Sequence, residues 1–139
     1  MSTRARIGLR SEDDSVVSIY THWDGYPEHH GPILLNHYNT KAKVKELLAL
    51  GDLSVLGEDV GIKQEFDTPP PKDGRTMCLA YGRDRGEWNC GATDDPSVEA
   101  FEESARDSWA EYIYLFDGLD WWVSEGEDDW SPLVSYSKV

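Results

Sequence analysis

Residues 111–124 commit the chain to antiparallel sheet. Glu111–Phe116 is a dense run of aromatic and branched residues, Asp117-Gly118 suits a tight hairpin turn, and Leu119–Ser124 leads back along it. A second hairpin is legible near the start. Arg4–Arg10 alternates, with Ile7 and Leu9 set apart from Arg6, Gly8 and Arg10; Ser11–Ser15 is a polar turn, and Val16–Trp23 is rich in strand formers.

Between the hairpins the period changes. Gly31-Pro32 opens a short helix to about Tyr38, with Pro in the first turn, where a missing N–H does no harm. Asn39 or Thr40 caps a second helix over Lys41–Leu50, with Val44, Leu47 and Leu48 on one face and Gly51 as a left-handed stop. Leu53 and Leu56 suggest one more turn packed inward. Residues 58–74, with Pro69, Pro70 and Pro71, read as a long loop. Arg75–Tyr81 reads as a strand and Gly82–Ala92 as a polar loop. Asp95-Pro96 starts a helix whose buried stripe is Val98, Phe101, Ala105 and Trp109. Trp130–Val134 is a last strand or a packed tail. The expected fold is α+β: one domain over residues 1–139, a mostly antiparallel sheet of about five strands, and three helices covering one face.

Composition narrows the function classes. The chain of 139 residues has a formal net charge of −14. Residues 94–139 hold thirteen acids against two bases, so most of the excess lies in the last third. Phosphate contact needs Lys and Arg, so direct nucleic-acid binding by that third is not expected. A basic partner protein suits it; so does a plain solubilising role, or a halophilic host. No apolar run reaches the roughly 18 residues of a membrane span, and Met1–Arg4 does not lead into the apolar core of an export signal. A cytoplasmic protein with Cys78 and Cys90 as reduced thiols is the expectation, and their spacing fits no zinc motif.

Three groups of residues offer chemistry. The first is His22-Trp23-Asp24-Gly25-Tyr26-Pro27. His22 and Asp24 share a face if extended, so the carboxylate can orient the ring, but no nucleophile is marked nearby. The simpler account is a strand-to-helix corner in which Asp24 closes a turn, Gly25 takes a positive φ and Pro27 sets the exit. Glu28, His29, His30 and His37 enrich this region in metal-type ligands without a ligand spacing, so neither a metal nor a cofactor is assigned. The second group is Gly82-Arg83-Asp84-Arg85-Gly86-Glu87, where two arginines can clamp a phosphate or carboxylate, or answer acids within the protein. The third is the acidic, Trp-bearing C-terminal third. Glu99, Glu102, Glu103 and Asp107 form a helical row, and Glu125, Glu127, Asp128 and Asp129 a second cluster. Trp122 and Trp130 stand among them. Trp121 and Trp122 are adjacent in a strand, so their rings face opposite sides, and an exposed Trp rimmed by acids suits a protein–protein contact.

Several of these stretches carry a resemblance. Thr3-Arg4 with Ile7 after it, Ile19–Pro27, Gly51–Gly57, Phe66-Asp67, Tyr81–Glu87, Glu111–Phe116 and Trp121 resemble a family of small proteins from tailed phages, prophages and plasmids. The resemblance covers most of the chain and transfers no catalytic residue. It implies an accessory protein of a mobile element that acts on host proteins, defence systems included. The leading expectation is therefore a non-enzymatic protein that engages a basic host protein, for instance a nucleic-acid-binding one, through Glu99, Glu102, Glu103, Asp107, Trp122, Glu125, Glu127, Asp128, Asp129 and Trp130. One version is DNA mimicry. The alternative is a binder or hydrolase of a nucleotide-like small molecule, with a pocket built from His22, Asp24, Tyr26, Arg83 and Arg85.

Overall fold

A computed structural model describes residues 3–64, 66, 77–125 and 129–133. Most of the long loop expected over 58–74, the start of the strand expected from Arg75, Glu127, Asp128 and Val134 lie outside the described residues.

The elements run β1 (Ala5–Arg10), β2 (Val16–Thr21), α1 (Pro27–His37), α2 (Lys41–Leu48), β3 (Leu53–Val55), β4 (Leu79–Ala80), α3 (Tyr81–Arg85), β5 (Thr93–Asp95), α4 (Val98–Asp107), β6 (Tyr112–Phe116), β7 (Trp121–Glu125) and β8 (Ser131–Pro132). They form one eight-stranded sheet in the order β4-β3-β2-β1-β6-β7-β8, with β5 paired to the start of β2. Both hairpins read from the sequence are present, as β1–β2 and β6–β7.

The fold is α+β, but the sheet is larger than five strands and mixed. β1 pairs parallel with β6, and β2 parallel with β3. The reason lies in the helices. α4 carries the chain across the sheet, so β6 starts at the end where β1 starts, and α1 with α2 do the same between β2 and β3. A helical crossover is what parallel neighbours require.

Four helices are present among the described residues, and they do not share a face. Leu34 of α1 and Val44 and Leu47 of α2 pack on Ala5, Ile7, Ile19, Tyr114 and Phe116. Phe101 and Ala105 of α4 pack on Val16, Ile113 and Leu115 from the other side. The central strands are thus covered on both faces. That is why Ile113, Tyr114, Leu115 and Phe116 are all buried in succession.

Further corrections are local. α1 begins at Pro27, not Gly31, with Pro27 in its first turn and Pro32 inside it. Residues 53–55 are a strand rather than a helical turn, though Leu53 and Leu56 are buried as expected. Of Arg75–Tyr81, only Leu79–Ala80 forms a named strand; Tyr81–Arg85 is one turn of helix, inside what reads as a strand end and a loop. Thr40 does cap α2, accepting from the Lys43 amide, and Gly51 is left-handed at φ 75°.

Trp109 is not part of the buried stripe of α4. It follows the helix at φ 65° and is 76% exposed. The Ala110 amide reaches back to the Ala105 carbonyl at 3.0 Å, closing the helix end in the way that usually places glycine at this position. A tryptophan there costs roughly 1–2 kcal/mol of backbone strain.

Candidate functional site

The His22–Pro27 stretch is a corner between β2 and α1, as the simpler sequence account has it, with one exchange of roles. Asp24, not Gly25, takes the positive φ, at 58°. Gly25 is required for another reason. A Cβ on it would lie 2.6 Å from the Thr3 carbonyl oxygen and 2.7 Å from Ala5 Cβ, so only glycine lets the corner dock on the start of β1. The Gly25 amide donates to Thr3 O at 2.8 Å, and the Tyr114 hydroxyl donates to Gly25 O. Tyr26 is exposed and precedes α1.

His22 makes a 2.8 Å hydrogen bond through Nδ1 with the Tyr20 hydroxyl and stacks edge-on to Trp23. Burial and the nearby Arg4 lower its pKa. His30 lies deeper, fully buried, with Nε2 3.0 Å from Thr21 Oγ1 and Nδ1 2.9 Å from His29 Nδ1. Burial first, then the charge of His29, pushes its pKa well below the ordinary value. The native state thus keeps His30 neutral while an unfolded chain protonates it near pH 6.5. Stability is expected to fall as pH drops below about 6.5, by about 1.4 kcal/mol per pH unit from this residue. Urea unfolding at about pH 6.5 and about pH 5.5 measures this, above the range in which carboxylates titrate. A flat profile would contradict it.

The second group turns inward. Asp84 is buried and accepts from the Ala80 amide at 2.8 Å, the Gln64 amide at 2.9 Å and Arg83 Nε at 3.0 Å. Burial opposes its charge, but Arg83 and the two amides outweigh burial and hold its pKa below the usual carboxylate range. Arg83 also donates to the carbonyls of Val60, at 2.6 Å, and Cys78, at 2.8 Å. Arg85 lies over the rings of Phe66 and Tyr81, 4.9 Å and 5.7 Å from their centroids, and pairs with Glu87. Neither arginine is bonded to His22 or Asp24. Among the described residues, no group of three His, Cys, Asp or Glu side chains is placed to hold a metal ion.

The third group is where the fold adds most. The Trp122 indole N–H donates to Asp117 Oδ2 at 2.9 Å, and the Trp130 indole N–H to Glu102 Oε2 at 2.7 Å. Between the start of α4 and the β6–β7 hairpin lies a groove of about 220 Å³ lined by Arg10, Val98, Leu115, Asp117, Trp122 and Trp130. Asp117 also accepts from the amides of Leu119 and Asp120. Burial opposes its charge, but the Asp120 amide, the Trp122 indole, the Leu119 amide and Arg10 outweigh it and keep the carboxylate ionised to lower pH than usual.

Strand register brings further acids to this end of the sheet. β1 and β6 end side by side (Leu9 opposite Phe116), and β5 meets the start of β2 (Val16 opposite Asp95). The exposed Glu12, Asp13 and Asp14 of the β1–β2 turn therefore share one end of the sheet with Asp120, Asp94 and Glu99. Those turn acids lie far from the C-terminal third in sequence, and nothing local marks them or Arg10 as neighbours of Trp122. The expected C-terminal cluster is correspondingly divided. Glu99, Glu103 and Asp107 are exposed along α4, and Glu102 is engaged by Trp130. Glu125 is opposite Tyr112, at the other end of the sheet, while Asp129 is exposed next to Trp130.

Comparison of the chain with protein-family models, with curated proteins and with solved structures gives no match. No helix among the described residues is long and apolar enough to cross a membrane.

Proposed function

We propose that the protein works by binding, without a reaction of its own, and that its acidic sheet end engages a basic partner protein. The observation that carries this reading is the convergence of acids from three separate elements (the β1–β2 turn, the β6–β7 turn and the start of α4) around a groove walled by Trp122 and Trp130. Carboxylates gathered this way raise the local concentration of a cationic surface and speed its docking. The resemblance to mobile-element proteins makes the partner a host protein, and a nucleic-acid-binding one fits best. Glu99, Glu103 and Asp107, exposed in a row along α4, then stand where phosphates otherwise would.

The small-molecule reading has less support. Its anion clamp needs Arg83 and Arg85 free, and Arg83 spends its guanidinium on Asp84 and two carbonyls.

The test is capture of host proteins by the tagged chain at low and high salt. Basic proteins are expected to be retained at about 50 mM salt and released as salt screens the contact. The variant with Asp13, Asp14 and Asp120 all changed to Lys should retain none of them. Retention unaffected by salt and by these changes would refute the reading.

A further inference from the structure

We propose that the groove between α4 and the β6–β7 hairpin receives an arginine side chain from the basic partner. This assignment rests on the reading of the acidic end as a partner-binding face, and it names what that face grips.

The first argument is what the two indoles have left to offer. Both N–H groups are already given to carboxylates, Trp122 to Asp117 and Trp130 to Glu102. An occupant therefore meets ring surface rather than donors. Ring surface attracts a cation, and a planar guanidinium on tryptophan is the most favourable such pair.

The second argument is charge. Asp117 lines the groove, Glu102 holds the lining Trp130, and the Glu12–Asp14 turn and Asp120 lie at the same end of the sheet. Among the described residues, Arg10 is the one base in the lining. It is already answered by Asp14, at 3.6 Å, and by the charge of Asp117. An anion would gain Arg10 but face the surrounding acids; a cation meets the opposite balance.

The third argument is shape and polarity. The groove's floor includes Leu115 and Val98, and Leu115 is almost fully buried. An arginine can lay its aliphatic stem on these residues while its head group stays between indole and carboxylate. A purely apolar side chain would use the floor but leave the surrounding charges without a partner.

Tryptophan fluorescence titration with a synthetic arginine-rich peptide tests the assignment, alongside the same peptide with every arginine replaced by citrulline, which keeps the shape and removes the charge. The wild-type protein should bind the arginine peptide, and the citrulline peptide at least about tenfold more weakly. Trp130→Ala should weaken the arginine peptide by about tenfold, and Trp130→Phe, which keeps a ring, by less. Trp88→Ala, at an 89% exposed site outside the groove, should change nothing. Urea midpoints run in parallel separate lost binding from lost folding, and Trp130→Phe serves if the alanine variant is unfolded. Equal binding of the two peptides would overturn the assignment. So would unchanged affinity in a folded Trp130→Ala; if the Asp13, Asp14 and Asp120 charge reversal still abolished binding, the acidic-face reading would survive it. If no arginine-rich peptide bound even at low salt, both would fall.

Discussion

Replacement of Asp84 by alanine is expected to cost about 3–5 kcal/mol, a large part of the roughly 5–15 kcal/mol that holds a domain of this kind together. The Asp84 side chain has no exposure and the Arg83 side chain only 18%. Deleting the carboxylate leaves the Arg83 guanidinium without its counter-charge and strands the amides of Ala80 and Gln64. Arg85→Ala, at the very next residue of the same short helix, is the contrast. Its bond to Glu87 is half-exposed, so its loss should cost at most about 1 kcal/mol from the ion pair. Urea denaturation of the two variants beside the wild type gives both numbers. A loss below about 1 kcal/mol for Asp84→Ala would mean that the pair is not the anchor of residues 78–85.

Gly25→Ala is expected to cost about 2–3 kcal/mol. The added methyl would sit 2.6 Å from the Thr3 carbonyl oxygen, so the corner must move off β1. Moving it strains the Gly25 amide bond to Thr3 and the buried Tyr114 hydroxyl bond to the Gly25 carbonyl. Asp24→Gly should be neutral or slightly stabilising, because the left-handed conformation at 24 suits glycine at least as well as aspartate. Thermal unfolding of the two single variants reads out both effects. A neutral Gly25→Ala would contradict the close approach of residue 25 to β1, and a destabilising Asp24→Gly would contradict the account of the left-handed turn at 24.

That pair of residues also marks how far the sequence is legible. The hairpins, the Thr40 cap and the Gly51 stop are local: a few adjacent residues satisfy the backbone, and their types announce it. The corner was legible as a corner for the same reason. Which residue took the positive φ was not, because Gly25 is fixed by Thr3 and Ala5, twenty or more positions away in the chain. The parallel pairing of β1 with β6 has no local signature either. It follows from where α4 sets the chain down, and the strand pattern of residues 112–116 suits a parallel neighbour as well as an antiparallel one. Trp109 misled because its spacing continues the apolar stripe of α4. The helix ends at Asp107, two residues before it, and the indole turns to solvent.

The site divides along the same line. Trp122, Trp130 and the α4 acids stand out by residue type in a C-terminal third that is mostly acid. Glu12, Asp13, Asp14 and Arg10 do not, since only register between distant strands carries Arg10 to the groove and the three acids to that end of the sheet. The arginine pair of residues 82–87 shows the opposite error available to sequence reasoning. Two guanidinium groups beside an acid look like a ligand clamp, yet Asp84 lies between them in sequence and Arg83 folds onto it.

The most direct measurement is amide shift mapping by heteronuclear NMR during titration with a basic partner or an arginine-rich peptide. The shifts are expected to concentrate at Arg10–Ser15, Val98–Glu103 and Asp117–Trp122, and to shrink as salt is raised. Shifts confined to Tyr20–Tyr26 and Tyr81–Glu87, unchanged by salt, would place the working surface at the other end of the sheet and contradict the account.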